Sequence, residues 1–313
     1  MLQDLTRLLQ HAPSPLQELQ SALLSAKAVR LFVKRDDLLA LLEGSACCGN
    51  KWRKLQYNLL EARRQGQQRL LTFGGAFSNH IAAVAEAGQA FGFKTIGVIR
   101  GEAPATPGPT LQLAATRGMH LHHVSRSDFR RQHDPLWIAE LLNHHGNCYI
   151  LPEGGTNPLA LDGCKEVVQE IREQYADTPP HYYCVACGTG GTMAGMVEAL
   201  QGQAQVLGFS ALKGDFMRDA VAQLLRQHTG KTYENWAIQS AYHFGGYARV
   251  TPQLKAFANA FQQTHGITLD LVYTAKMFFG LFDLIVQDYF PAGSSIVAVH
   301  TGGLQGNAGF ADL

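Results

Sequence analysis

Two segments of the chain carry side chains suited to chemistry on a small molecule. The first is Gly49-Asn50-Lys51-Trp52-Arg53-Lys54-Leu55, in which a second lysine follows Lys51 one helical turn later. Asn50 can cap a helix, so Lys51 should lie in the first turn. Nearby Arg53 and Lys54 disfavour an ammonium ion and lower its pKa, as a carbonyl-attacking lysine requires. An ordinary solvated helix start is the simpler interpretation of this segment alone.

The second segment is a glycine-rich turn, Cys187-Gly188-Thr189-Gly190-Gly191-Thr192, between a strand pattern and a helix pattern. Glycines let backbone N–H groups approach an anion closely, and Thr189 and Thr192 add hydroxyls. Met193 stands where a dinucleotide fingerprint needs glycine, and no lysine follows as in a P-loop. A small phosphate is therefore the simplest ligand, although a tight turn without any ligand is equally consistent.

A lysine amine and a phosphate-binding turn are together what pyridoxal 5′-phosphate (PLP) requires from a protein. A third segment, Gly74-Gly75-Ala76-Phe77-Ser78-Asn79-His80, also leads from a strand into a helix. Its N–H groups and the Ser78 hydroxyl could bind a carboxylate, and Asn79 could hydrogen-bond a phenolate oxygen. A serine hydrolase is disfavoured, because Ser78 and His80 are too close for a triad and G-x-S-x-G is lacking.

The bulk composition excludes several function classes. The chain has 313 residues, 46% hydrophobic and 16% charged, which suffices for a large core and two lobes. A net charge of +1 gives no electrostatic case for nucleic acid or an anionic membrane. The apolar run Met277–Val286 is too short to span a bilayer. Because residues 1–7 lack the order of a signal peptide, we expect a cytoplasmic protein.

The spacing of apolar segments and glycines predicts an α/β fold. Gly66, Gly92, Gly118 and Gly146 each end a helical pattern and lie 26, 26 and 28 residues apart. That is the length of one helix and one strand, which predicts βα units in a parallel sheet. The predicted strands are Leu70–Phe73, Thr95–Ile99, His120–Val124, Cys148–Leu151, His181–Cys187, Gln205–Ser210 and Ser295–His300.

Cysteine and histidine patterns favour structural roles. Cys184 and Cys187 have redox or zinc spacing, but they lie in a predicted buried strand and lack a second pair. We therefore expect reduced core thiols. His122-His123, His133 and His144-His145 show no metal-binding motif, so core or surface histidines are favoured over metal ligands.

Six motifs occur in an order that points to one family. They are Asn50-Lys51-Trp52-Arg53-Lys54, Gly75-Ala76-Phe77-Ser78-Asn79-His80, Gly188-Thr189-Gly190-Gly191-Thr192, Gly246-Tyr247, Val272-Tyr273-Thr274-Ala275-Lys276 and His300-Thr301-Gly302-Gly303. This order resembles the 1-aminocyclopropane-1-carboxylate (ACC) deaminase / D-cysteine desulfhydrase family of PLP enzymes, from about Ser14 to the C-terminus. The resemblance implies the two-lobed, three-layer fold of the tryptophan-synthase β-subunit class. We expect residues 1–51 plus 162–313 in a large lobe and 52–161 in a smaller one.

The resemblance also implies roles for individual residues. Lys51 would form the Schiff base with PLP, and Lys54 with residues 188–192 would hold the phosphate. Ser78, Asn79 and His80 would bind the substrate, and Asn79 would also bond the ring O3′. The remaining implied positions are Tyr273 near the ring, Tyr247 near the substrate and Thr301 beside the pyridine nitrogen.

The chain departs from the family pattern at three places. Cys48 replaces a glycine, Phe77 replaces a glutamine, and Ala248-Arg249 stands where glycine is usual after the tyrosine. We expect Phe77 and Arg249 to alter the substrate pocket.

The resemblance implies a lyase that acts on a small amino acid. Lys51 would take the Cα proton, and β-elimination or deamination would give a 2-oxo acid and ammonia. D-cysteine is the predicted substrate, because Thr274 and Thr301 replace the acid that would charge the ring nitrogen. ACC deamination, another lyase or racemase activity and PLP binding without turnover remain alternatives. The family also implies a homodimer.

Overall fold

The computed structural model describes residues 12–39, 49–175 and 179–310. Ten strands and the helices between them follow one another along these residues. In chain order they are β1 Leu16–Leu19, α1 Ala22–Ala26, β2 Arg30–Lys34, α2 Asn50–Arg64, β3 Arg69–Gly74, α3 Asn79–Phe91, β4 Lys94–Arg100, α4 Pro109–Thr116, β5 His120–Val124, α5 Arg126–Phe129, α6 Pro135–His145, β6 Tyr149–Leu151, α7 Pro158–Gln174, β7 Tyr182–Cys187, α8 Gly191–Leu200, β8 Gln205–Ser210, α9 Phe216–Thr229, β9 Trp236–Gln239, α10 Pro252–His265, α11 Thr274–Val286 and β10 Ser295–Val299. Short 3₁₀ turns cover Asp36–Leu38, Glu153–Gly155 and Leu304–Phe310.

The strands form two separate sheets. One has the order β1-β2-β10-β7-β8-β9, and the other has the order β5-β4-β3-β6. Every neighbouring pair is parallel except β1 with β2. The strands of the smaller sheet all come from residues 69–151. The predicted α/β class and parallel pairing are confirmed, while the predicted lobe boundaries stay a prediction.

Both faces of each sheet are buried, because neighbouring residues of a strand pack in different apolar clusters. In β7, Cys184 packs in one apolar cluster, whereas Tyr183 and Val185 pack in another. In β3, Leu70 and Leu71 likewise belong to different clusters. Since successive side chains of a strand point to opposite faces, each sheet is the middle layer between helices. This is the predicted three-layer arrangement.

The prediction that four glycines end helices is confirmed. Gly66, Gly92, Gly118 and Gly146 each close a helix, with φ of 70°, 68°, 84° and 81°. This left-handed backbone ends a helix at little cost only when the residue lacks a Cβ. All seven predicted strands form, within one or two residues of their predicted bounds.

Three strands were missed from the sequence. The strands β1 and β9 lie at sheet edges and are four residues long, so neither offers an apolar run of more than three residues. The central strand β2 is buried by pairing with β10, from the far end of the chain. Lysine and arginine at its ends conceal the short apolar centre, Leu31 to Val33.

Two smaller predictions are also settled by the fold. Cys184 and Cys187 are free thiols buried in β7. Met277–Val286 falls inside the 13-residue helix α11, and no helix of the described ranges has the length and apolar content to cross a membrane.

Candidate active site

A cavity of about 370 Å³ is lined by residues at the carboxyl ends of strands from both sheets. Its walls include every residue for which the sequence predicts a role in the site. These are Lys51, Lys54, Ser78, Asn79, His80, Gly188, Thr189, Gly190, Gly191, Thr192, Tyr247, Tyr273 and Thr301. The fold therefore brings together groups that are up to 250 positions apart in the chain, although their individual roles stay predictions.

The start of α2 positions Lys51, but its cap differs from the prediction. Gly49 is the N-cap, with φ of 76°, and a Cβ there would lie 2.1 Å from the Thr301 carbonyl oxygen. Asn50 occupies the first helical position, and its side-chain Nδ2 donates to Thr192 Oγ1 at 2.9 Å. The prediction that Asn50 caps the helix is therefore wrong. Its amide instead joins α2 to the start of α8.

Burial and, to a lesser degree, the nearby charge of Lys54 lower the pKa of Lys51 from 10.5 to about 7. Asp270 acts in the opposite direction and raises the pKa. Arg53, which the sequence places among the causes, points away from the cavity and pairs with Asp36 and Glu170. The predicted low pKa is thus supported, but removal from water causes most of it.

Lys54 lies beneath the glycine-rich turn. Its Nζ donates to the Gly154 carbonyl and Thr156 Oγ1 at 3.0 Å each, and to Thr189 Oγ1 at 3.5 Å. Burial lowers the pKa of Lys54, and the residue is 2% exposed. All these partners are neutral, so an anion in the cavity would meet an amine whose charge is not balanced by a carboxylate.

The glycines of the turn are required by close packing. Gly190, with φ of 77°, is the N-cap of α8, which begins at Gly191. A Cβ on Gly191 would lie 2.7 Å from the Thr156 side chain and 3.1 Å from Lys54 Nζ. A Cβ on Gly188 would lie 2.9 Å from the Tyr273 ring. The first N–H groups of α8 therefore face the cavity, where a helix N-terminus attracts anions.

The third predicted segment forms the start of α3. Ser78 is its N-cap, and its Oγ accepts a hydrogen bond from the Ile81 N–H at 3.3 Å. Asn79 Oδ1 accepts one from Gln305 Nε2 at 2.8 Å. Both ring nitrogens of His80 are buried without a hydrogen-bond partner in the described chain. Burial, Lys51 and Lys54 lower the pKa of His80 well below its ordinary value, so the imidazole is neutral.

Two hydrogen-bonded tyrosines form the opposite wall. The rings of Tyr247 and Tyr273 lie 6.2 Å apart. Burial raises the pKa of Tyr247 to about 12, and it raises the pKa of Tyr273 well above its ordinary value. Lys276 donates to the carbonyls of Gly246 at 2.7 Å and His243 at 3.0 Å, so it fixes the loop that carries Tyr247.

Sequence reasoning missed several residues of the site. Arg100 is the last residue of β4, Glu153 lies two residues after the end of β6, and both line the cavity. The carboxyl ends of parallel strands are the signal that could have found both. Thr156 and Asp270 lie neither at a strand end nor in a recognised motif, so no sequence signal marks them as site residues. Asp270 is fully buried, with one carboxylate oxygen unpaired in the described chain, and burial raises its pKa to about 7.

Two of the three departures from the family pattern lie within the described residues. Phe77 stacks on Phe310 with ring centroids 5.6 Å apart, and Arg249 is exposed. Neither side chain belongs to the lining, so an effect of either residue on the substrate pocket would be indirect and stays a prediction. Their side chains point to the C-terminal turn and to solvent instead. Thr274 is fully buried and hydrogen-bonds the Asp270 backbone, while Cys48 lies outside the described residues.

These residues meet the two demands that PLP makes on a protein. Lys51 offers an amine that loses its proton near neutral pH. The α8 N-terminus and Lys54 offer a phosphate site that only glycines at positions 188 and 191 leave open. The unpartnered nitrogens of His80 provide hydrogen-bonding groups that the protein itself leaves unused.

Comparison with known proteins agrees with this chemistry. A family model described as pyridoxal-phosphate dependent enzyme matches residues 8–302. A putative ACC deaminase of Pyrococcus horikoshii is 30% identical over 290 residues, covering 90% of this chain and 87% of that protein. A D-cysteine desulfhydrase of Klebsiella pneumoniae is 32% identical over 324 residues, covering 96% of each. The solved structure of an ACC deaminase homologue has a TM-score of 0.79 at 28% identity, covering 97% of this chain and 95% of its own. The resemblance and the fold class that it implies are confirmed.

Proposed function

Because the chain belongs to the pyridoxal-phosphate dependent enzyme family, we propose that it catalyses β-elimination on a small amino acid. With D-cysteine and water, the products are pyruvate, ammonia and hydrogen sulfide. The main support for this proposal is that Lys51, whose pKa is about 7, lines the same cavity as the proposed anion site at Lys54 and residues 188–192. An amine that is neutral at working pH can bind an aldehyde and accept a proton.

The cofactor would be held at both ends of the cavity. When bound, PLP supplies an aldehyde that binds amino groups and a ring that takes up negative charge from Cα. Lys51 would bind the aldehyde, and the N–H groups of residues 188–192 with Lys54 would bind the phosphate. Asn79 and Thr301 line the space between these sites and would bond the ring oxygen and ring nitrogen.

Lys51 is also the proposed general base for the Cα proton. A base works best when its pKa lies near the working pH, and Lys51 has a pKa of about 7, mainly because it is buried. Lys54 lowers this pKa and Asp270 raises it, so the two neighbours tune the amine in opposite directions.

The start of α3 would bind the substrate carboxylate. The Ser78 hydroxyl and the helix N-terminus provide donors and a favourable dipole. His80 is neutral, so it would bind through one N–H donor and not through charge. Arg100 lines the rim of the same cavity and would add the positive charge that His80 lacks.

Tyr247 and Tyr273 would act on the leaving group. Their pKa values are raised, so both phenols keep their protons at neutral pH. A protonated phenol can donate to a departing sulfur atom but cannot withdraw a proton from Cα. This division leaves Lys51 as the base and the tyrosine pair as the acid.

The surroundings of the ring nitrogen favour D-cysteine over ACC. Thr301 lines the cavity, and ACC deaminases of the family carry a glutamate where this chain has Thr274. A hydroxyl cannot supply the charge that would stabilise a protonated ring, so PLP bound here would accept electrons less strongly. Elimination of a thiol needs less stabilisation than opening a cyclopropane. ACC deamination remains the second candidate, supported by the names of relatives such as the Pyrococcus protein.

A substrate panel tests this proposal. Turnover of D-cysteine, L-cysteine, D-serine and ACC would be followed by the release of 2-oxo acid and ammonia. We expect D-cysteine to exceed ACC in kcat/KM by at least about tenfold, a difference of about 1.4 kcal/mol in barrier. The opposite order would establish the deaminase, interconversion of enantiomers a racemase, and no turnover of any compound a PLP-binding protein without catalysis.

The cofactor attachment can be tested separately. Borohydride reduction of the yellow protein should fix PLP to Lys51, as read by peptide mass spectrometry. A label on Lys54 or Lys276 would contradict the assignment.

Lys54→Met should weaken PLP binding at least about tenfold through loss of the charged phosphate contact. The exposed Lys94→Met is the matched control and should bind PLP like the parent.

Three further expectations concern the lobe boundaries, the oligomeric state and the location of the protein. The lobes would comprise 1–51 plus 162–313 and 52–161, which is supported by the confinement of the smaller sheet to residues 69–151. A homodimer is implied by the family and would be tested by light scattering. A cytoplasmic location would be tested by cell fractionation.

A further inference from the structure

Three histidines that are separated in sequence meet beside the smaller sheet. His122 lies on the edge strand β5, and His144 and His145 are the last two residues of α6. One ring nitrogen from each lies within 4.8 Å of the other two. Within residues 12–39, 49–175 and 179–310, this is the single group of three His, Cys, Asp or Glu side chains with such close ligand atoms. We call it the histidine cluster.

The packing of α6 on the sheet brings the cluster together. In the register of β4 and β5, His122 is the neighbour of Val98. Val98 packs on the sheet face that Trp137 and Leu141 of α6 cover. Residues 144 and 145 lie three and four positions after Leu141, so they occupy the same helix side one turn further on. That turn reaches the edge strand, where His122 faces the same way as Val98.

The imidazole rings face one another and leave nitrogen atoms available. The ring centroids are 4.6 Å apart for His144 and His145, and 4.8 Å apart for His122 and His145. His145 Nε2 is buried without a hydrogen-bond partner in the described chain. Arg69 donates to the backbone carbonyl of His145 at 3.1 Å, so it does not use the ring. An unpaired buried nitrogen needs a partner that the protein does not provide.

We propose that the histidine cluster binds a divalent transition-metal ion of the zinc class through three imidazoles. Zinc takes nitrogen ligands at about 2.0–2.1 Å, which places tetrahedral ligand atoms about 3.3 Å apart. Rotation of side chains that are exposed or half-buried can close the present separation. Imidazole ligands suit zinc, copper and nickel, whereas magnesium and calcium prefer oxygen. His144 is exposed, so the fourth position is open to water.

This site would be structural and independent of the proposed elimination reaction. None of its three histidines lines the cavity that holds Lys51. A bound ion would tie the end of α6 to an edge strand that has a neighbour on one side only. An ion that binds the folded state alone stabilises it by mass action. No sequence motif links position 122 to positions 144 and 145, so the sequence favoured ordinary histidines.

Zinc titration of tag-free, PLP-loaded protein against a chromophoric chelator tests the proposal. We expect one tight zinc ion per chain and a rise in the unfolding temperature on zinc addition. His122→Gln, His144→Gln and His145→Gln should each weaken zinc binding at least about tenfold and abolish that rise. The exposed His133→Gln removes an imidazole from the same part of the chain and should behave like the parent.

The zinc-binding measurements give results that either support or overturn the proposed site. Equal binding by all four variants, or no stoichiometric binding by the parent, would overturn the proposal. If a variant fails to fold, crystals of the parent grown with zinc decide, because anomalous scattering at the zinc edge must fall between β5 and α6. A zinc peak elsewhere, or none, would overturn it. Elimination activity is expected to be equal in the parent and the three variants, whatever substrate proves correct.

Discussion

The first turn of α2 presents two cationic regions with opposite properties. Arg53 is fully buried and makes two short hydrogen bonds to Asp36, at 2.6 and 2.7 Å, and two to Glu170, at 2.7 and 2.9 Å. Burial alone would lower the pKa of Arg53, but the two carboxylates raise it by more. On the other side of the turn, the amines of Lys51 and Lys54 bond no carboxylate of the described residues, and burial lowers both pKa values.

Helix geometry explains how neighbours can differ so strongly. Residues 51 and 54 are three apart and share one face, whereas residue 53 points almost opposite to residue 51. One face packs against the acidic groups of α7 and the 3₁₀ turn, and the other meets the cavity. A buried cation with carboxylate partners keeps its charge and serves structure, whereas Lys51, with a pKa of about 7, can lose its proton near neutral pH and become reactive.

The largest expected effect is on the reactive face. Lys51→Met removes the proposed base, so turnover should fall by about 10³-fold or more. Steady-state assay with D-cysteine, or with whichever substrate the panel identifies, measures the loss. Lys94→Met controls for the removal of a lysine as such. Activity within tenfold of the parent would show that Lys51 is not the base.

Breaking the paired face should affect stability instead. Arg53→Met would leave Asp36 and Glu170 buried with their main partner lost, which costs about 3–5 kcal/mol. Urea unfolding measures the change. Arg64→Met on the same helix breaks the exposed pair with Glu61 and should change stability by less than about 1 kcal/mol. Equal losses in the two variants would contradict the distinction between buried and exposed pairs.

The pH dependence of stability should reveal Lys51 in the cofactor-free protein. Its pKa is about 7 when folded and 10.5 ordinarily, so between these values the unfolded chain holds a proton that the folded protein lacks. Stability should therefore rise with pH across this window, by up to about 1.4 kcal/mol per pH unit. The difference between the parent and Lys51→Met, measured by urea unfolding at several pH values, isolates this slope. A flat difference would exclude the low pKa.

The smallest expected effects are opposite shifts in the pKa of Lys51. Lys54→Met removes a repelling charge and should raise this pKa, whereas Asp270→Asn removes an attracting carboxylate and should lower it. Asn keeps an oxygen that can accept the N–H groups of Tyr273 and Thr274, which now bond the aspartate. The pH dependence of reductive methylation at Lys51, read by mass spectrometry, measures both shifts. Shifts of the same sign would mean that the substitutions act through altered burial.

Several parts of the site were predictable because their signals are local. Gly190 needs a positive φ and Gly191 a missing Cβ, and both needs are visible as glycines at a strand-to-helix turn. Ser78 at a helix start follows the same reasoning. The position of Lys51 in the first turn was predicted correctly, although its cap and the main cause of its low pKa were not.

Other parts depend on contacts that no local pattern specifies. Thr156 binds Lys54 only because the turn after β6 packs against the glycine-rich turn. Lys276 looked like part of a family motif, but its three carbonyl partners come from two loops, one after β8 and one after β9. The histidine cluster arises in the same way, since only the packing of α6 on the sheet brings residue 144 near residue 122.

The sequence by itself determined the α/β class, the order of the βα units and a set of site residues that all line the cavity, although not the complete lining. Periodicity, glycine positions and motif order are properties of short segments, and they survive without knowledge of the fold. Tertiary structure alone decided which cations are paired, which amine is removed from water and which histidines meet. These outcomes depend on burial and on distances between remote segments, so the same residue types at Lys51 and Arg53 acquire opposite properties within one turn of helix.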